Sequence, residues 1–186
     1  MEKYKLYQSN LIRDNHSLFE FQCKKAHEFI LQDYNTNNST WAYEKYNIFN
    51  LTSGSLLFYK LYKELNYHIR SFIGDDRPLW IGSWLNYDAG EKVEQNLKSH
   101  YHEGLYHGYI SITPQNTKTI FHNGVEIDNK IGQIYVGPGN NHDYNNKDWD
   151  HYVKITKPYN GIRITLGFDL FTSQNRKLGK TFIPLL

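Results

Sequence analysis

The alternation of apolar and polar positions changes its period once along the chain, near Pro78. From Ser55 onwards Phe58, Leu61, Leu65, Ile69 and Phe72 recur at steps of three and four, which lays a single apolar stripe along a helix ending at Gly74. This helix is expected to pack on a sheet. An earlier helix is predicted from a Ser17 cap through Phe19, Phe21, Ala26, Phe29 and Ile30 towards Gln32, after a short strand at Lys3 to Tyr7.

Beyond Pro78 the pattern is one of short strands punctuated by turns. The predicted strands are Leu79 to Tyr87, Glu94 to His102, Gly108 to Thr113, Thr117 to His122, Gly132 to Val136, His151 to Thr156 and Gly161 to Phe168. Asn-Gly pairs at 123 and 160 and the Gly137-Pro138-Gly139 run mark turns, so the spacing favours an antiparallel jelly roll over βαβ units. The fold class expected is mainly β with flanking helices (α+β): a double-stranded β-helix core buttressed by N-terminal helices. A single domain is predicted over 1–186, with a helical buttress at 1–78, the β core at 79–170 and a C-terminal tail at 171–186.

Composition excludes several function classes. The 21 basic and 19 acidic residues leave a net charge of +2, too small to be the electrostatic footprint of a nucleic-acid binder. One cysteine, Cys23, cannot form an internal disulfide, and no apolar run approaches the ~20 residues of a membrane span. Met1 to Lys5 lacks the apolar core of a signal peptide, so an intracellular, cytoplasmic protein is expected, a virus-infected host cell being one setting. The 16 tyrosines among 186 residues lean the chain towards sheet, and the excess of Asn, Lys, Ile and Tyr reads as the bias of an AT-rich genome.

The candidate chemistry lies in His100-Tyr101-His102. On a strand, residues two apart point the same way, so both imidazoles can reach one metal ion. His151 could supply a third ligand, and Arg163, on the strand after it, a cation for an anionic group. Nine histidines in 186 residues will sometimes fall two apart by chance, and His-x-His alone is a spacing, not a signature.

Order and context sharpen it. Trp84-Leu85-Asn86-Tyr87, Gly90-Glu91, His100-Tyr101-His102 and Gly108-Tyr109-Ile110-Ser111-Ile112 together resemble the core of the Fe(II)/2-oxoglutarate-dependent oxygenases. The likeness is to the small, phage-type members with a cupin-like jelly roll. The tail, His151-Tyr152-Val153 and then Arg163-Ile164-Thr165-Leu166-Gly167-Phe168, resembles the family's distal ligand and cosubstrate clamp. The resemblance implies catalytic, metal-binding histidines at His100, His102 and His151. It implies that Arg163 and Thr165 hold the distal carboxylate of 2-oxoglutarate, a task suited to the planar guanidinium. Trp84, Asn86, Tyr109 and Ser111 are expected to line the pocket, Asn86 and Tyr109 beside the cosubstrate. The implied activity is a dioxygenase that hydroxylates its substrate with O2 while 2-oxoglutarate is decarboxylated to succinate.

His102 departs from the family pattern, which has Asp or Glu two residues after the first His. The departure leaves open an all-histidine site, a site in which Glu103 or Asp88 supplies the carboxylate, and a site that no longer turns over. His142, after the Gly137-Pro138-Gly139 turn, is the alternative distal ligand, and His151 is preferred because it opens an alternating strand. Two other readings are kept: a non-catalytic metal-binding β-sandwich with a structural or accessory role, and a cupin-like metalloenzyme that uses His100, His102 and His142 without 2-oxoglutarate. The substrate is not specified. Fold analogy favours a peptide or protein side chain, no membrane or nucleic-acid partner is indicated, and a homo-oligomer is compatible.

Overall fold

The structure, a computed structural model, describes residues 3–34, 45–139, 147–172 and 181–185. In chain order the elements are β1 (Lys5–Gln8), α1 (Asn10–Asp14), α2 (His16–Tyr34), α3 (Ile48–Leu51), α4 (Leu56–Ile73), β2 (Leu79–Lys92), β3 (Gln95–Asn96), β4 (Tyr106–Thr113), β5 (Thr117–Phe121), β6 (Glu126–Asp128), β7 (Gln133–Pro138), β8 (His151–Ile155), β9 (Tyr159–Phe171) and β10 (Ile183–Leu185).

The strands form a six-stranded sheet in the order β1-β7-β4-β9-β2-β10 and a four-stranded sheet in the order β3-β8-β5-β6. Every pairing is antiparallel. From β2 to β9 the chain keeps crossing from one sheet to the other, pausing only at the β5–β6 hairpin, where Gly124 takes φ +87 in the Asn123-Gly124 turn. The segment 171–186, expected as a tail, contributes β10 to the edge of the large sheet beside β2.

Alternation along the central strands separates two environments. Ile81 and Leu85 of β2, Ile110 and Ile112 of β4, Ile134 and Val136 of β7 and Ile164, Leu166 and Phe168 of β9 belong to one apolar core with Phe19, Cys23 and Ile30 of α2 and Leu61, Leu65 and Ile69 of α4. The other face of the same strands looks towards the small sheet, where Tyr109, Phe121, Ile127 and Tyr135 form a second cluster. The helices thus pack on one face of the large sheet and leave the other for the space between the sheets.

Helix α4 matches its predicted span: Ser55 caps it by accepting from the Phe58 N–H, and Gly74 ends it at φ +76. The Leu65 side chain in its stripe is fully buried, so Leu65→Ala is expected to cost about 2–5 kcal/mol. Urea unfolding checks this, and a loss below about 1 kcal/mol would contradict the packing. The earlier helix differs from expectation, because Ser9 caps a separate short α1 by accepting from Ile12 N–H, while Ser17 lies inside α2. Among the described residues no helix is long and apolar enough to cross a membrane.

Two strand expectations are corrected. Asn160-Gly161 is not a turn: both residues belong to β9, opposite Glu91 and Gly90 of β2. Continuous pairing with β2 overrides the local turn signal. β8 and β9, consecutive in the chain, lie in opposite sheets. The predicted strand from Glu94 to His102 also shrinks to Gln95–Asn96 plus one isolated bridge, His100 with His151. Its sequence is polar and lacks the apolar alternation that holds a strand on a core.

Candidate metal centre

Strand period 2 puts Arg163, Thr165, Gly167 and Asp169 on one face of β9, turned towards the small sheet. Trp84 and Asn86 of β2 and His107 and Tyr109 of β4 share that side, and facing them are Thr119 of β5, His151 and Val153 of β8 and the 97–102 segment. Together they enclose a cavity of about 250 Å³ lined at one end by histidines and along β9 by Thr165 and Arg163. Gly167 matters for its shape, since a Cβ there would run into the Trp84 indole, whose ring stacks on His102 at a centroid distance of 5.6 Å.

His100, His102 and His151 converge. Their ring centroids are 5.0 Å (His100 to His102), 4.6 Å (His100 to His151) and 5.1 Å (His102 to His151) apart. One nitrogen from each lies within 4.8 Å of the others, close enough to share an ion. The backbone ties two of them directly, with His100 N–H donating to His151 O at 3.0 Å and His151 N–H to His100 O at 3.1 Å.

The Nδ1 atoms are all engaged. His100 Nδ1 lies 3.2 Å from Lys98 O, and His151 Nδ1 lies 3.2 Å from Trp149 O. His102 Nδ1 lies 3.1 Å from Asp169 Oδ1, and His107 Nδ1 lies 3.0 Å from the same oxygen and 3.1 Å from Phe168 O. Carbonyl and carboxylate oxygens only accept, so these partners assign the proton to Nδ1 and leave each Nε2 with its lone pair, the state a metal ligand needs.

Burial also favours neutral rings. It lowers the His100 pKa to about 4 and the His107 pKa to about 3, with His102 adding to both shifts, and holds His151 well below its usual value. For Asp169 burial works in the opposite sense, yet interaction with His102 and hydrogen bonds from His102 and His107 outweigh it and hold the carboxyl well below the usual carboxylate range.

These shifts set a pH dependence. A histidine whose folded pKa is depressed contributes stability that is complete above its unfolded value of about 6.5 and is lost as pH falls towards the folded value. The metal-free protein is therefore expected to lose stability from about pH 6.5 down to 4, with His27 and His68, also lowered by burial, adding to the trend. Urea midpoints at pH 7, 6 and 5 check this, and a flat profile across that range would contradict it.

Arg163 is the second notable group. It is 7% exposed, makes no ion pair among the described residues, and its Nε has no hydrogen-bond partner there. Burial lowers its pKa, but an arginine remains charged. Asp88 and Tyr159 act on it only from beyond ion-pair distance, and a buried cation so weakly compensated points to an anionic ligand. Beside it Thr165 Oγ1 accepts from Asn86 Nδ2 at 3.1 Å, which orients the hydroxyl.

Among solved structures, the chain is similar to a viral collagen prolyl hydroxylase from Paramecium bursaria Chlorella virus-1 (8% identity, TM-score 0.56, covering 91% of this chain and 89% of that one). It is also similar to a Pseudomonas putida prolyl-4-hydroxylase (10% identity, TM-score 0.50, covering 90% and 86%). A cupin superfamily protein from Desulfitobacterium hafniense matches 50% of this chain and 69% of its own at 13% identity and a TM-score of 0.35. The fold is a double-stranded β-helix. No protein-family model and no curated protein matches the sequence.

In this double-stranded β-helix the site residues expected from sequence are distributed as follows. His100, His102 and His151 meet at one end of the cavity, and Trp84, Asn86, Tyr109, Thr165 and Arg163 line its walls. Ser111 is buried but is not among the lining residues. His142 lies outside the described residues. The expectation that strand alternation brings His100 and His102 together is corrected, since His102 stands in the loop before β4; the His100–His151 bridge and Asp169 hold them instead. Neither carboxylate considered from sequence is at the cluster, because Glu103 is exposed and Asp88 pairs with Lys92 at 2.7 Å. Asp169 and His107 were not expected. The available signal was a lone acid in the otherwise apolar Gly167–Phe171 run, which requires a buried partner.

The donor set fits a divalent transition metal, as imidazole suits iron, zinc, copper and nickel. The cavity also fits a small dianion, with the Arg163 cation along β9 from the imidazole end.

Proposed function

We propose that the protein is an Fe(II)/2-oxoglutarate-dependent oxygenase that hydroxylates a substrate C–H bond, a peptide or protein side chain being the preferred substrate. The observation that carries this reading is the buried Arg163, without an ion-pair partner among the described residues, in the same cavity as three imidazoles. A ligand that satisfies both ends needs a carboxylate for the guanidinium and a second chelating group for the metal, and 2-oxoglutarate has both. In this reading His100, His102 and His151 hold the iron through Nε2. Arg163 grips the distal carboxylate with the Thr165 hydroxyl beside it, and Asn86 keeps that hydroxyl in place.

Bound there, iron and 2-oxoglutarate supply the oxidising power that places one oxygen atom of O2 in the substrate C–H bond, the other entering succinate as CO2 is lost. The residues around them hold the cosubstrate in one orientation, and the Trp84 and Tyr109 rings keep bulk water from the walls. The peptide preference rests on fold analogy with the two prolyl hydroxylases.

The all-histidine donor set favours a second reading, a metal-binding protein of this fold without 2-oxoglutarate. An anaerobic titration of the metal-free protein with Fe(II), then 2-oxoglutarate, separates the two. The visible charge-transfer band of the chelated keto acid is expected; tight metal binding without a band would overturn the oxygenase reading in favour of the second.

A further inference from the structure

Three neutral imidazoles bring no charge to a divalent cation, and a buried dication without a nearby anion is unfavourable. Behind His102 lies a buried carboxylate. Asp169 is 1% exposed and, among the described residues, is the one Asp or Glu buried to this degree. It stands on the inward face of β9, two residues beyond Gly167. Its Oδ1 alone meets two donors, His102 Nδ1 at 3.1 Å and His107 Nδ1 at 3.0 Å. The two rings stack at a centroid distance of 3.5 Å and an interplanar angle of 11°, so His107 holds both the carboxylate and the face of the His102 ring.

We propose that Asp169 is a positioning residue of the metal centre, which aims the His102 Nε2 at the cation and lends the all-histidine site a negative charge through their hydrogen bond. This rests on the reading of His100, His102 and His151 as the metal ligands. It assigns to Asp169 the anionic role that a ligating carboxylate would otherwise fill, moved one imidazole away from the ion. His107 acts with it: its Nε2 is buried without a hydrogen-bond partner among the described residues, so the ring is oriented through Nδ1, by Asp169 Oδ1 and the Phe168 carbonyl. A carboxylate behind a ligating imidazole fixes its tautomer and raises its basicity, and losing such a partner typically weakens metal binding about 10–100-fold.

The shared oxygen makes the charge separable from the hydrogen bonds. In Asp169→Asn the amide oxygen can accept from both Nδ1–H groups while the charge is gone. The probe is Co(II) alone, titrated into the metal-free wild type and D169N and followed by its visible d–d bands. The expected result is Co(II) binding about 10–100-fold weaker in D169N, with bands of unchanged position and a single cooperative unfolding transition. Equal affinity in the two proteins would overturn the proposal while leaving the three-histidine site standing. No Co(II) binding by the wild type would overturn the metal-centre reading itself, and this inference with it. If D169N does not fold, imidazole ¹⁵N spectra of the Zn(II)-loaded wild type decide: Nδ1–H tautomers are expected at His102 and His107, and an Nε2–H tautomer at His102 would overturn the assignment.

Discussion

Replacing Arg163 with methionine is expected to weaken 2-oxoglutarate binding by the metal-loaded protein about 30-fold or more while leaving the ligand-free fold at least as stable. The two effects have one cause. In the ligand-free protein the guanidinium is a buried charge with no carboxylate partner among the described residues, and methionine keeps the apolar stem without that charge. In the proposed complex it would face the distal carboxylate, and truncating one member of a buried charge pair costs about 2–5 kcal/mol, or at least about 30-fold in affinity. Titration of the chelate band gives the dissociation constant, and urea unfolding gives the stability. Unchanged affinity would remove Arg163 from the cosubstrate site, whereas a markedly destabilised fold would mean that it serves the β9 framework.

His151→Ala is expected to weaken metal binding more than 100-fold, beyond the range for loss of an outer partner. His151 holds its position through backbone bonds to His100 that alanine retains, so the loss falls on the ligand nitrogen and not on the join between β8 and the His100 segment. Without bound metal the keto acid band disappears at any 2-oxoglutarate concentration, unlike in the Arg163 variant, where excess cosubstrate restores it. His122→Ala is the control. That imidazole is exposed, lies 3.2 Å from Ser99 Oγ and is not one of the three converging histidines, so its loss is expected to leave affinity unchanged. A competition titration against a chromophoric chelator measures all three proteins, and a His151→Ala affinity near the wild type would exclude His151 as a ligand.

Much of this site was legible before any tertiary information. Arg163 and Thr165 lie two apart on one strand, and period 2 alone requires them to share a face. The α4 stripe names its buried residues because a helix repeats every 3.6 positions, whatever it packs against. The meeting of His100 with His151 is different. Nothing local dictates it, and it came from the order of motifs, not from a physical reading of either segment.

What stayed hidden depends on contacts between residues distant in sequence. Asn160-Gly161 has the composition of a turn, but thirteen residues of β9 pair with β2, and that ladder outweighs a two-residue preference. The short β3 reflects a competition of the same kind, since a polar segment has little to bury, and the bridge to His151 helps hold His100 at the sheet.

By itself, then, the sequence determined the periodicities: which residues lie on the core face of α4, which share a face of β9, and which imidazoles and guanidinium are available. Only the tertiary structure decided that β8 and β9 lie in opposite sheets, that the carboxylate behind His102 is Asp169 and not Glu103 or Asp88, and that His107 joins the cluster. The physical reason is range. Periodicity is set by backbone geometry within a few residues, whereas His102 and Asp169 are brought within 3.1 Å by two strands whose pairing is settled by the burial of the whole sheet.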